Sequence, residues 1–226
     1  MAKGHSTKPT DVGLNRTGSQ LAPQRAKEML EGAAQTRPVG SPGEFARFRA
    51  ELAAQAPPVG TVPPPGTVKG MAKTAMKALQ GEKASVFVDK LAARLAFERT
   101  GVRLYDALLA KIPAGKTSEG TLTVEAVRQI RDEELAHFHL CREAIESLGA
   151  DPTAMTPCAD LSGVEGTGLV QVLTDPRFTI TQCVDALLIA ELADNDSWKI
   201  LIAMAEALGQ DDLARRFTDA LATEDR

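Results

Sequence analysis

The sequence predicts an all-α protein, and three observations carry that prediction. Aromatic residues make up only 4% of the chain while Ala and Leu are plentiful, a composition that favours helices packed on helices over a sandwich or barrel. Beyond about residue 80, apolar residues recur in alternating steps of three and four, the period of a helix with one buried face. Cap and breaker residues then bracket those periodic stretches, as at Thr123, Gly149, Thr179 and Gly209.

Composition excludes several classes. Apolar residues at 43% and charged residues at 25% are ordinary for a soluble globular chain, and 226 residues suffice for one substantial domain or two small ones. No apolar run approaches the roughly 18–20 residues that span a bilayer. The N-terminal MAKGHSTKPTDVGLNRTG lacks the apolar core of a secretory signal, so a cytoplasmic protein without membrane attachment is expected. A net charge of −4 with no basic-aromatic motif argues against nucleic-acid binding. Cys141, Cys158 and Cys183 are odd in number and not paired as CxxC, which suggests buried free thiols.

Residues 1–66 differ from the rest. They hold most of the prolines, including Pro57-Pro58 and Pro63-Pro64-Pro65, and carry eight basic against five acidic residues, about +3. This segment reads as an extended, partly disordered arm, interrupted by two short helices over 23–34 and 42–56 that need a docking surface to be stable. The stretch PPVGTVPPPG reads as a stiff linker. Residues 67–226 have the composition of a packed domain, with the change evident from about Lys69.

Four long helices follow. In the first, Ala84, Val88, Leu91, Leu95, Glu98, Val102, Tyr105 and Leu109 form the seam, and the pattern ends near Pro113-Ala-Gly. The second starts after Thr123 with Glu125 in its first turn and presents Val127, Ile130, Glu134, His137, Cys141, Ala144 or Ile145, and Leu148. Some 30 residues then connect to the third, with one short helical piece around 168–174. A link that long suits a chain crossing the length of a bundle so that the next helix runs parallel to the previous one. The third opens on the capping pattern Thr179-Ile-Thr-Gln182 and continues through Val184, Leu187 or Leu188, Glu191, Asp194 or Asn195, Trp198, Ile202, Ala205 and Leu208. The fourth shows Leu213, Phe217, Ala220 and Glu224.

Each helix thus aims a Glu at its own core, and the second adds His137 three residues after Glu134, on the same face one turn away. Buried carboxylates facing one another repel and are costly to desolvate, and a pair of divalent cations removes both penalties. A lone Glu-x-x-His is weak evidence, but its place in an apolar seam and the matching glutamates on three other helices strengthen it. His139 lies on a different face and reads as solvated, as do Asp132, Glu133 and Glu143. Asp194 reads as either a partner for a ligating His ring N–H or a surface salt bridge, and Tyr105 and Trp198 as core residues near the site.

On these residues, from about 80 to 226, the chain resembles the ferritin-like di-iron carboxylate proteins. That family implies a four-helix bundle with a long crossover between its second and third helices, one inward Glu from each of two helices and a Glu-x-x-His from each of the other two. Glu98 matches the first-helix ligand, Glu134 and His137 the second-helix pair, Glu191 the third-helix ligand and Glu224 the glutamate of the last pair. The family's final His would fall one position beyond Arg226, and the fourth helix is short beside the third. A truncated chain is expected, its second metal position lacking a nitrogen ligand.

The resemblance implies two iron ions per bundle and oxidation of Fe(II) by O2 or peroxide, with ligation by Glu98, Glu134, His137, Glu191 and Glu224 and bridging by Glu134 and Glu224. Carboxylate and imidazole ligands without thiolates suit Fe or Mn and argue against structural zinc. A manganese catalase-like enzyme is the alternative that keeps the site. A metal-poor binding or cargo module docking a protein partner through the arm is the alternative that abandons it. Dimerisation is expected by analogy with such bundles.

Overall fold

A computed structural model of the chain describes residues 18–36, 40–57, 59–63, 82–112 and 122–224. The expectations placed on residues 1–17, on Pro64-Pro65, on the change near Lys69, on the breaker Pro113-Ala-Gly and on Arg226 lie outside these residues. All regular structure among the described residues is helical, and no helix there is long and apolar enough to cross a membrane. The chain divides into two compact units, Met1–Pro57 and Pro58–Arg226.

The first unit holds α1 (Pro23–Gln35) and α2 (Pro42–Gln55), close to the ranges expected from the sequence. Each begins on a proline, whose missing N–H and fixed φ suit the first helical turn. A capping box closes the start of α2: Glu44 N–H donates to Ser41 Oγ at 3.1 Å and Ser41 N–H to the Glu44 carboxylate at 2.6 Å. Neither helix has a buried residue, and Met29, Leu30, Phe45, Phe48 and Leu52 are exposed.

The second unit holds α3 (Glu82–Lys111), α4 (Val124–Ser147), α5 (Pro157–Thr174), α6 (Ile180–Ala207) and α7 (Asp211–Glu224). The caps fall where the sequence places them. Thr123 accepts from Ala126 N–H at the start of α4, and Thr179 with Gln182 forms the capping box of α6. Gly149 and Gly209, with φ of 81° and 62°, supply the left-handed residues just past the ends of α4 and α6. The α6–α7 turn is therefore only three residues, and the two helices pair closely. Helix α3 packs against α4, α5 and α6, and α7 reaches α4, where Arg216 Nη2 meets Glu143 Oε2 at 2.7 Å.

The core comes in two parts. Phe87, Leu91, Leu95, Cys141, Ile145, Trp198 and Phe217 build one apolar cluster, and Leu104, Leu108, Val127, Leu173, Cys183 and Leu187 build the other. The charged seam residues of α3, α4 and α6 fall between them along each helix.

Three expectations need correction. The buried stripe of α3 is rotated from the expected one: Phe87, Leu91, Arg94, Glu98, Gly101, Tyr105 and Leu108 follow steps of four and three, while Ala84, Val88, Val102 and Leu109 are only half-buried. Both stripes obey the helical period, and tertiary packing chose between them. The connection before α6 also holds a full 18-residue helix, α5, rather than a short piece. Its signal was the Thr156 cap followed by Pro157, masked by Gly163, Gly166 and Gly168, which weaken helix propensity. Gly166 has a packing reason, since a Cβ there would lie 3.1 Å from Thr100 Cγ2 on α3. On α6, Val184 is exposed rather than in the seam, and of the pair Leu187 and Leu188 it is Leu187 that is buried.

Phe217 is fully buried and ties the short α7 to Trp198, their ring centroids 5.5 Å apart. Phe217→Ala is expected to cost about 3–5 kcal/mol in urea unfolding. A loss below about 1 kcal/mol would mean that α7 contributes little to the core.

Candidate metal centre

Four helices bring polar side chains into the layer between the two apolar clusters. Helix α3 supplies Arg94, Glu98 and Tyr105, and α4 supplies Glu134 and His137. Helix α6 supplies Glu191 and Asp194, and α7 supplies Thr223 and Glu224. Relative exposure is 3% for Arg94, 0% for Glu98, 3% for Glu134, 5% for His137 and 1% for Asp194. Charges so deeply buried persist only where they find partners.

One oxygen each of Glu134, Glu191, Asp194 and Glu224 lie within 4.8 Å of one another. Three of these are residues that the sequence singled out as ligands. Asp194 joins them directly, neither behind a histidine nor at the surface. Glu98 sits beside this group and not in it. Its Oε1 accepts from Arg94 Nε at 2.7 Å, and Arg94 Nη2 also pairs with Asp194 Oδ1. The guanidinium is enclosed by aromatic faces, 4.8 Å from the Phe97 ring centre and 4.9 Å from that of Trp198. Burial works against its charge, but the surrounding anionic groups, Glu98 foremost and Glu134 among them, together outweigh burial and keep it protonated.

His137 is oriented by a hydrogen-bond chain. Thr223 Oγ1 gives its proton to Ala220 O at 2.6 Å, so at 2.9 Å from His137 Nε2 it acts as acceptor, and Nε2 carries the hydrogen. In the neutral ring, Nδ1 is then the lone-pair nitrogen. It faces Glu224 Oε1 at 2.8 Å without hydrogen-bond alignment, two electron-rich atoms that a cation would reconcile. A second ring partner that sets the tautomer in this way is the usual companion of a ligating imidazole.

The remaining acceptors are under-satisfied. Glu98 Oε2, Glu134 Oε2 and Asp194 Oδ2 are buried without a hydrogen bond. Burial, and after it the charges of Glu98, Glu191 and Glu224, push Glu134 up to about 11. Burial also raises Glu191, against the lowering effect of the bond from Tyr105. The Tyr105 hydroxyl donates to Glu191 Oε1 in a short contact, and burial with the Glu191 charge raises it far above the ordinary phenol range, so it remains a donor. Burial, then Glu98, raises the nearby Cys141 thiol well above its usual value, which removes it as a thiolate ligand. Oxygen and imidazole donors with unspent lone pairs fit a hard or borderline divalent cation.

Gly101 leaves room for this arrangement. A Cβ there would come within 2.7 Å of Glu134 Cδ, closer still to its Oε2, so glycine on α3 admits the α4 carboxylate. Sequence reasoning missed Arg94, Gly101 and Thr223. The first two share the stripe of Glu98, and the correct choice of stripe would have exposed them. Thr223 carried no signal, because its role depends on α7 packing against α4.

No protein-family model, curated protein or solved structure matches this chain. The reading of the site therefore rests on its own geometry.

Two outcomes are expected. Glu134 holds its proton in the folded chain from its ordinary 4.5 to about 11, an interval in which the unfolded chain has released it. Its contribution to stability is therefore fullest below that interval and falls as pH rises through it. Thermal melts of the metal-free protein should give a Tm that declines between roughly pH 6 and 8, and Glu134→Gln should flatten the decline. An equal slope in both proteins would contradict the assignment. Gly101→Ala, by displacing the Glu134 carboxylate, is expected to weaken Mn(II) binding about tenfold, ~1.4 kcal/mol, in calorimetric titration.

Proposed function

We propose that this protein binds Fe(II) at the carboxylate and histidine cluster and oxidises it with O2 or peroxide, as a ferritin-like oxidoreductase. In this reading α3, α4, α6 and α7 are the four helices of a ferritin-like bundle, and α5 lies in the crossover between its second and third helices. The observation that carries the proposal is the convergence of donors in one layer: His137 Nδ1 stands 2.8 Å from Glu224 Oε1, and Glu224 gathers with Glu134, Glu191 and Asp194.

Glu134, Glu191, Asp194, Glu224 and His137 would hold the ion. Fe(II) is the substrate, surrendering an electron that dioxygen or peroxide accepts. The chain's own part is to bind and orient. Tyr105 steadies Glu191 through its hydroxyl, Thr223 fixes the imidazole ring, and the apolar clusters on either side keep bulk water from the carboxylates. Glu134 gives up its proton when a cation arrives, so binding strengthens as pH rises. The same donors accept manganese, and release of O2 from peroxide by Mn-loaded protein would identify the catalase-like alternative.

The first unit favours an additional role. Exposed Met29, Leu30, Phe45, Phe48 and Leu52 on α1 and α2, with no buried residue in either helix, suit a segment that docks on a protein partner. Deleting residues 1–66 would then abolish partner capture and leave metal binding intact.

The direct test adds Fe(II) anaerobically and then O2 or peroxide, following ferric absorbance. The parent chain is expected to oxidise Fe(II) at least about tenfold faster than the Glu134→Ala/Glu191→Ala variant. Equal rates in the two would rule out oxidation at this site.

A further inference from the structure

We propose that the Arg94 guanidinium stands in for a second cation, so that the centre takes one divalent ion and not the two that a ferritin-like carboxylate site implies. The inference rests on the metal reading above and narrows it. Three observations converge on it.

The first is geometric. Around a single ion with oxygen ligands at roughly 2.0–2.2 Å, opposite ligand atoms stand about 4.2 Å apart. One oxygen each of Glu134, Glu191, Asp194 and Glu224 lie within 4.8 Å of one another, close to the span of one such sphere. Two-ion centres hold their metals roughly 3.5–4 Å apart, and a second ion would need donor atoms beyond these four.

The second concerns the carboxylates that would supply that spread. Glu98 Oε1 is bound by Arg94 Nε at 2.7 Å, and Asp194 Oδ1 is paired with Arg94 Nη2. A planar guanidinium engages two carboxylates at once and is charged at every working pH. A second ion bound through Glu98 would compete with Arg94, 3% exposed, for a buried carboxylate that already commits one oxygen to the guanidinium. A cation seated there would also face the guanidinium across one carboxylate, in a pocket walled by Phe97 and Trp198 where repulsion is poorly screened.

The third distinguishes the site from a mere acidic cluster. Three buried groups within it have unpartnered lone-pair atoms: His137 Nδ1, on a side chain 5% exposed, Glu134 Oε2, on one 3% exposed, and Asp194 Oδ2, on one 1% exposed. Asp194 thus gives one oxygen to Arg94 and keeps the other for the ion. Arg94 is a positioning residue in this scheme, and it sets the number of ions.

The test loads the full-length chain anaerobically with Mn(II) and counts metal by elemental analysis as the difference from the Glu134→Ala/Glu191→Ala variant, which discounts surface carboxylates. About one ion per chain is expected, with an electron paramagnetic resonance spectrum of isolated six-line Mn(II). Arg94→Ala is expected to raise the count to about two and to produce the broadened spectrum of a coupled pair. Two coupled ions in the parent chain would overturn the inference while sustaining the metal reading. No ion above the variant's background would overturn that reading itself. An Arg94→Ala chain that folds, as judged by circular dichroism, yet still binds one ion would also overturn the role given to Arg94. If that variant does not fold, the parent spectrum alone decides between one ion and two.

Discussion

The buried pairing of Arg94 with Glu98 and Asp194 is the interaction on which the second unit depends. Three charged side chains, none more than 3% exposed, meet in the middle of a helical core. Desolvating them is costly, and only mutual contact with good geometry offsets the cost. The pairing joins α3 to α6 and leaves those two helices a single azimuth at which both faces are satisfied. Phe97 and Trp198 then close over the guanidinium, so the polar layer is sealed laterally by aromatic rings and axially by the two apolar clusters.

From that anchor the other polar groups follow. Once α3 is fixed, Gly101 opens the space that Glu134 fills from α4, and burial, then the crowding of carboxylates there, raises Glu134 far above its ordinary range. Helix α6 carries Glu191 one turn from Asp194, where Tyr105 holds it. Helix α7 is short, but the three-residue turn after α6 and the burial of Phe217 bring Thr223 and Glu224 to the level of His137. The same spacing of three and four that packs the apolar clusters therefore delivers every polar member of the centre.

Helix existence and most boundaries were legible in the sequence, because caps and apolar period are local properties. Thr123, Thr179 with Gln182, Gly149 and Gly209 mark ends by chemistry that needs no tertiary partner. The seam of α4 was legible apart from the half-buried Ile130, since Glu134 and His137 stand in an otherwise apolar stripe. The seam of α3 was not. Two stripes that share Leu91, Glu98 and Tyr105 both satisfy the helical period, and the choice between Val88 and Val102 on one and Phe87, Arg94 and Gly101 on the other falls to what α4, α5 and α6 present. Helix α5 was concealed for a related reason: its glycines lower local propensity but allow close approach to Thr100, a gain that only packing reveals.

By itself, then, the sequence determined an all-helical chain in which glutamates and one histidine occupy core positions, because side-chain type and spacing along a helix are properties of the chain alone. Tertiary structure decided which of those groups meet. It placed Asp194 among the carboxylates, drew Glu98 aside to Arg94 and fixed the His137 tautomer through Thr223. Charge pairing and hydrogen bonding across helices depend on azimuth and depth, and those are set only when the helices pack against one another.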